Sequence, residues 1–380
     1  MAGRGLPPSR APDLDGDVRA RGAAAAEEMP RVVLNRKRLF GFAVFVASSI
    51  AFLYFVLPKI VGLHDAWDRI SRGDVSWLVL AAAFEVLSFA GYVALFRAVF
   101  VRGDTRIGWP ESYEITMAGL AATRLFAAAG AGGVALTAWA LRRSGMERAR
   151  VASRMIAFLA ILYGVYMASF VIDGLGLAVG VFPGPAPFAI TVVPAIFGAG
   201  VIAVFLAGSL LPGDHGRLVG RWTRGEGRLG RLARRVAAAP AAASTGIRTA
   251  ISLVRTRDAN LLGAVAWWGF DIATLWACFH AFGGSPPTAV VVMAYFVGML
   301  GNTLPLPGGI GGVDGGMIGA FSAFGVPVEV SVVSVLAYRV FAFWLPTLPG
   351  AIAYLQLRRT VHRWQAEAQP VPADSTVAAT

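Results

Sequence analysis

Six stretches of this chain are apolar for as long as a bilayer is thick. They run from Leu39 to Val61, Trp77 to Phe100, Val151 to Phe182, Phe188 to Leu211, Asn260 to Phe282 and Val330 to Leu357. A helix needs about 20 such residues to cross the hydrocarbon core. In that solvent only helices and closed barrels satisfy their own backbone. Hydrophobic residues make up 56% of the chain, above the roughly 45–50% of soluble domains. The sequence therefore predicts an all-α, polytopic membrane protein.

Two further apolar regions are broken. Ser112–Leu141 holds Arg124 and is interrupted at Ala128–Gly133, AAGAGG. The other is interrupted between Leu304 and Gly316 by LPLPGGIGGVDGG, with Ala289–Thr303 before the break and a helix resuming through Val313–Phe324. Its prolines remove backbone donors and its glycines weaken a helix. Backbone freed this way must find partners in protein or in a wet cavity. A broken membrane helix with an acid at the break is one way to build a solute site. The alternative is a plain turn outside the membrane.

Charge orients these regions. Arg97, Arg102 and Arg106 precede the first broken region, and Arg142, Arg143, Arg148 and Arg150 follow it. Both its ends then belong at the cytoplasm. The second is preceded by the uncharged GGSPP, and the final span must end inside at Arg358, so both its ends face outward. The breaks share a string, Gly130-Ala131-Gly132-Gly133-Val134 and Gly309-Ile310-Gly311-Gly312-Val313. Two hairpins entering from opposite sides are what an inverted repeat predicts. The expected architecture is about six full spans plus two broken regions, each a re-entrant hairpin or a pair of short full crossings.

Residues 1–38 read as a disordered cytoplasmic tail and residues 358–380 as a cytoplasmic tail that looks disordered from Ala366, on either side of a membrane domain at 39–357. Arg31, Arg36, Lys37 and Arg38 before the first run, and Arg358, Arg359 and Arg363 after the last, place both termini in the cytoplasm. The net charge of +12 is loop charge of this kind, and nucleic acid is not an expected partner. The basic loop 212–258 has arginines at 217, 221, 224, 228, 231 and 235. That spacing makes one helical stripe, suited to an amphipathic helix on the inner surface; an irregular basic loop is the alternative.

Glu85, Arg124, Asp271, Asp314 and Arg339 lie inside apolar runs. Each costs about 3 kcal/mol at the bilayer centre on insertion scales, unless they face one another or a wet cavity. Internal ion pairing that only fixes helix packing is one reading. A lipid-headgroup site is the other, combining these five residues with Gly130, Gly132, Gly133, Gly308, Gly309, Gly311 and Gly312. Unwound glycine backbone offers N–H groups to a phosphate, and the two arginines add charge-assisted bonds. The acids would hold a cationic headgroup or carry a proton, with Asp314 gating occupancy. The scattered histidines show no metal-ligand spacing, and no nucleotide-binding or nucleophile motif is present. No cofactor is expected.

The C-terminal third resembles the transmembrane region of lysylphosphatidylglycerol synthases, a flippase-like family. The resemblance rests on PLPGGIGGVDGG at Pro305–Gly316, FSAFGVP at Phe321–Pro327, and Arg339 ahead of Phe343-Trp344-Leu345-Pro346 and Gly350. RLFAAAGAGG at Arg124–Gly133 is similar to the family's earlier glycine motif. The resemblance implies a lipid-handling transport core in the plasma membrane. It implies Glu where this chain has Asp314. A full synthase also carries a soluble aminoacyl-transfer domain, for which Pro212–Asp258 is too short. The leading expectation is a non-enzymatic translocator of an anionic lipid or a lipid-linked sugar. A membrane-embedded polyprenyl- or lipid-phosphate transferase and a non-catalytic scaffold are the alternatives.

Overall fold

The computed structural model describes residues 73–102, 105–125, 131–210, 244–304 and 309–368. All regular structure among them is helical. The helices are α1 (Val75–Phe100), α2 (Trp109–Leu125), α3 (Ala131–Arg143), α4 (Arg148–Ala178), α5 (Phe188–Leu210), α6 (244–255), α7 (Gly263–Ala281), α8 (Thr288–Met299), α9 (Gly312–Ala323), α10 (Val328–Arg339) and α11 (Leu345–Ala368). A 3₁₀ turn, Ala259–Leu262, leads into α7, and a π-helical turn, Val340–Trp344, joins α10 to α11.

Among the described residues, five helical segments are long and apolar enough to cross a membrane. They match five of the six long apolar runs; the sixth, Leu39–Val61, lies outside the described residues, as does the arginine stripe at 217–235. The last of them extends beyond Leu357 as a helix to Ala368, where Val361 and Trp364 are buried. The Asp74 side chain starts α1 by accepting from Ser76 N at 2.9 Å, which satisfies one of the free N–H groups of the first turn.

The two broken regions are two helical hairpins. Helix α2 packs on α3, and α8 packs on α9. At 1.5 Å per residue the 12 residues of α9 span only about 18 Å, well short of the roughly 30 Å hydrocarbon core. The shared glycine string has a shared job. A Cβ on Gly133, in the first turn of α3, would lie 2.5 Å from the carbonyl oxygen of Gly119 on α2. A Cβ on Gly312, in the first turn of α9, would lie 2.9 Å from the carbonyl oxygen of Gly301, just past α8. Glycine at both members lets two backbones touch, as small residues do between membrane helices.

The hairpins open onto opposite faces. Arg106, just before α2, pairs with Glu367 near the end of α11 at 3.5 Å. On the same face Arg102 pairs with Asp258 at 3.4 Å, and the Arg154 guanidinium donates to the Phe100 carbonyl at 2.9 Å. The basic connections are thus gathered at one end of the bundle. At the other end Asp74 N donates to the Ala281 carbonyl at 2.9 Å. There a Cβ on Gly184 would meet Val290 Cγ2 at 2.8 Å and Pro287 Cγ at 3.7 Å. The uncharged connections PGPAP and GGSPP therefore meet, and the second hairpin begins beside them. Long helix, hairpin, long helix occurs twice in chain order, and the two copies are inverted.

The copies join where α1 lies along α7. A Cβ on Gly91 would come within 2.7 Å of Ala266 Cβ, and Ser88 Oγ donates to the Trp267 carbonyl at 2.8 Å. The Trp268 indole donates to the Leu162 carbonyl at 2.8 Å, tying α7 to α4. A buried polar donor without such a partner would cost a few kcal/mol.

Candidate functional site

A cavity of about 1010 Å³ lies between the hairpins, walled by α1, α4, α7 and the α10–π turn junction. From α1 it takes residues between Glu85 and Phe100, the half nearer the basic face, so Glu85 and Asp271 sit at its inner end. Phe96, Phe100, Phe158 and Leu162 form an apolar wall. Both hairpins reach it, through Gly133 and through Gly309. The glycines of the second break do what only glycine does easily: Gly309 and Gly311 have φ of +67° and +84°, in the left-handed region that a Cβ disfavours.

Arg124, near the end of α2, lines the cavity. Its guanidinium donates to the carbonyl oxygens of Ala342 at 2.8 Å and Phe343 at 3.4 Å. The carbonyls are offered by local sequence. Pro346 has no N–H to return to Ala342 four residues back, which is one reason helices bend at proline. The π-helical turn lies at this place, and Thr347 Oγ1 supplies a further bond to the Phe343 carbonyl at 2.6 Å.

Arg339, buried at the end of α10, also lines the cavity. Its Nε lies 2.6 Å from Asp314 Oδ1, and its guanidinium carbon stands 4.7 Å from the centre of the Phe343 ring. The other carboxylate oxygen of Asp314 accepts from Gly311 N at 2.7 Å. Asp314 thus closes the glycine turn and anchors Arg339 from behind, without lining the cavity itself.

Glu85 on α1 and Asp271 on α7 are both buried and both line the cavity. Asp271 Oδ2 accepts from the Tyr295 hydroxyl and from the Tyr338 hydroxyl, the latter at 3.1 Å. Asp271 Oδ1 and Glu85 Oε2 are buried and accept from no donor among the described residues.

The structure therefore brings Glu85, Arg124, Asp271, Arg339, Gly133 and Gly309 to one cavity. Asp314 and Gly311 stand behind it, Gly312 serves the hairpin contact, and Gly132 does not line the cavity. Gly130 and Gly308 lie outside the described residues. Sequence reasoning missed Tyr295 and Tyr338, whose hydroxyls reach Asp271 from two other helices. It also missed the carbonyls of Ala342 and Phe343. Pro346 was a usable signal for the carbonyls; nothing in the spacing of the tyrosines marked them.

Comparisons with known proteins agree with this architecture. The family described as "Lysylphosphatidylglycerol synthase TM region" matches residues 38–350. A UPF0104 membrane protein of Methanothermobacter thermautotrophicus is 33% identical over 109 residues, 28% of this chain and 31% of the relative. One from Methanocaldococcus jannaschii is 34% identical over 95 residues, 25% of this chain and 28% of the relative. These matches span about a third of the relatives' length or less. Another Methanothermobacter thermautotrophicus UPF0104 membrane protein is 23% identical over 323 residues, which is 82% of this chain and 94% of that protein. With 38–350 matched and five long apolar helices around two hairpins, this multi-pass membrane protein belongs to the lysylphosphatidylglycerol synthase transmembrane-region family.

Proposed function

We propose that the protein translocates an anionic membrane lipid or a lipid-linked sugar across the plasma membrane, with its basic face and both termini in the cytoplasm. The observation that carries this reading is the cavity. It is about 1010 Å³, at the top of the range for small-ligand sites, and it joins an aromatic wall to buried charge. Guanidinium groups suit a phosphodiester because their N–H forks match its oxygens. The apolar wall suits the first segments of acyl or prenyl chain. The gathering of arginine-rich connections at one end supports the orientation, because positive loops stay in the cytoplasm. Inverted repeats around a central site are the usual frame for alternating access.

Purified protein in liposomes with fluorescent phosphatidylglycerol tests the reading. Headgroups that become accessible to a membrane-impermeant quencher, without chemical change, support translocation. Chemical turnover of the lipid would instead support a transferase, and neither result would leave a scaffold.

A further inference from the structure

Proton logic at the inner end of the cavity extends this translocator reading and rests on it. Two ionised carboxylates buried in one cavity repel each other, and a proton on one of them removes that cost. Glu85 and Asp271 are both buried and both line this one cavity. They come from the two copies of the inverted repeat, on helices held close at Gly91. The pair is unevenly supported: two phenol hydroxyls donate to Asp271 Oδ2, which favours the negative charge on Asp271 and leaves the proton to Glu85. Glu85 Oε2 and Asp271 Oδ1 are without donors among the described residues, and both side chains line the cavity.

The charges facing the pair can be counted by helix. From α2 comes Arg124. From α10 come Tyr338 and Arg339, and Arg339 is already matched by Asp314 on α9. Tyr295 comes from α8, Tyr163 and Tyr166 from α4, Cys278 from α7 and Tyr92 from α1 itself. Arginine keeps its charge, and tyrosine and buried cysteine keep their protons, through neutral pH. With one proton, the pair carries one negative charge and balances Arg124. A phosphodiester brings a second negative charge, and burying an unbalanced charge is costly. A second proton on the pair restores the balance.

We propose that the Glu85–Asp271 pair is a proton site whose second proton enters together with an anionic phosphodiester headgroup, making this a proton-coupled lipid site. No covalent chemistry is involved: one proton is taken from water on binding and returned on release.

The test uses the full chain in detergent, with short-chain fluorescent phosphatidylglycerol as probe and the matching phosphatidylcholine as zwitterionic control. Between pH 8 and pH 6 the phosphatidylglycerol Kd should tighten, with a limiting slope of about tenfold per pH unit for one linked proton. The control should not change, and unbuffered protein should take up about one proton per phosphatidylglycerol bound. Glu85→Gln combined with Asp271→Asn, which keeps the size of both groups while fixing the pair as neutral, should bind as the natural protein does at low pH and show no slope. Measurable but pH-independent binding by the natural protein, without proton uptake, overturns the proton site and leaves the lipid site standing. No phosphatidylglycerol binding at any pH overturns the lipid site as well.

Discussion

Arg124 donates at 2.8 Å to the carbonyl oxygen of Ala342, the carbonyl that Pro346 leaves without an α-helical partner. One bond thus ties the inner end of the first hairpin to the turn that bends the last long segment. It also links the two copies of the inverted repeat.

Replacing Arg124 should expose this link. Arg124→Gln should lower stability by about 1–3 kcal/mol, the cost of leaving a buried acceptor unpaired, and should abolish lipid movement. Arg124→Lys should restore much of the stability but little movement, because an ammonium lacks the fork that meets two carbonyls. Pro346→Ala should rescue the stability of Arg124→Gln by returning an N–H to Ala342. Thermal melting in detergent and lipid movement in liposomes measure both effects; a Pro346→Ala/Arg124→Gln protein no more stable than Arg124→Gln alone would contradict the account.

The Arg339–Asp314 pair is buried, with 2.6 Å between Nε and Oδ1. Removing one partner of such a pair typically costs about 3–5 kcal/mol, because the other is left charged and unmatched. Arg339→Gln and Asp314→Asn should each show that loss, and the double variant should be more stable than either. All three should be inactive in lipid movement. Additive losses in the double variant, read by chemical denaturation, would show that the two groups do not act together.

The glycines of α9 should divide sharply. Gly312→Ala places a Cβ 2.9 Å from the Gly301 carbonyl and should reduce the yield of folded protein. Gly133→Ala should do the same, at 2.5 Å from the Gly119 carbonyl. A Cβ on Gly315 or Gly319 meets nothing within 4 Å, so alanine there should be tolerated and could add about 1 kcal/mol of helix propensity. Gel-filtration profiles of the four variants would settle the matter; equal profiles would remove the hairpin contact from the argument.

Sidedness is open to labelling on a Cys278→Ser background, which removes the chain's single thiol. Ala186→Cys, in the uncharged connection, should react with an impermeant maleimide in intact cells. Ser9→Cys and Ser375→Cys should react only after lysis. The reverse pattern would invert the orientation proposed for the basic face.

Much of this protein is written locally. Long apolar runs, an N-cap such as Asp74, and prolines and glycines that break a helix act within a few residues. The sequence alone therefore determined the five long helices, the two broken hairpins and the buried charges within them. The repeated glycine string even marked the contact each hairpin makes with itself. What the tertiary structure decided was which faces meet. A helix that is apolar all round carries no stripe to say which side turns inward. Glu85 and Asp271 are 186 positions apart in the sequence, and only the packing of α1 on α7 sets them side by side. The same packing brings two tyrosines to Asp271, leaves Asp314 behind Arg339 rather than in the cavity, and carries Arg124 to the carbonyl of Ala342.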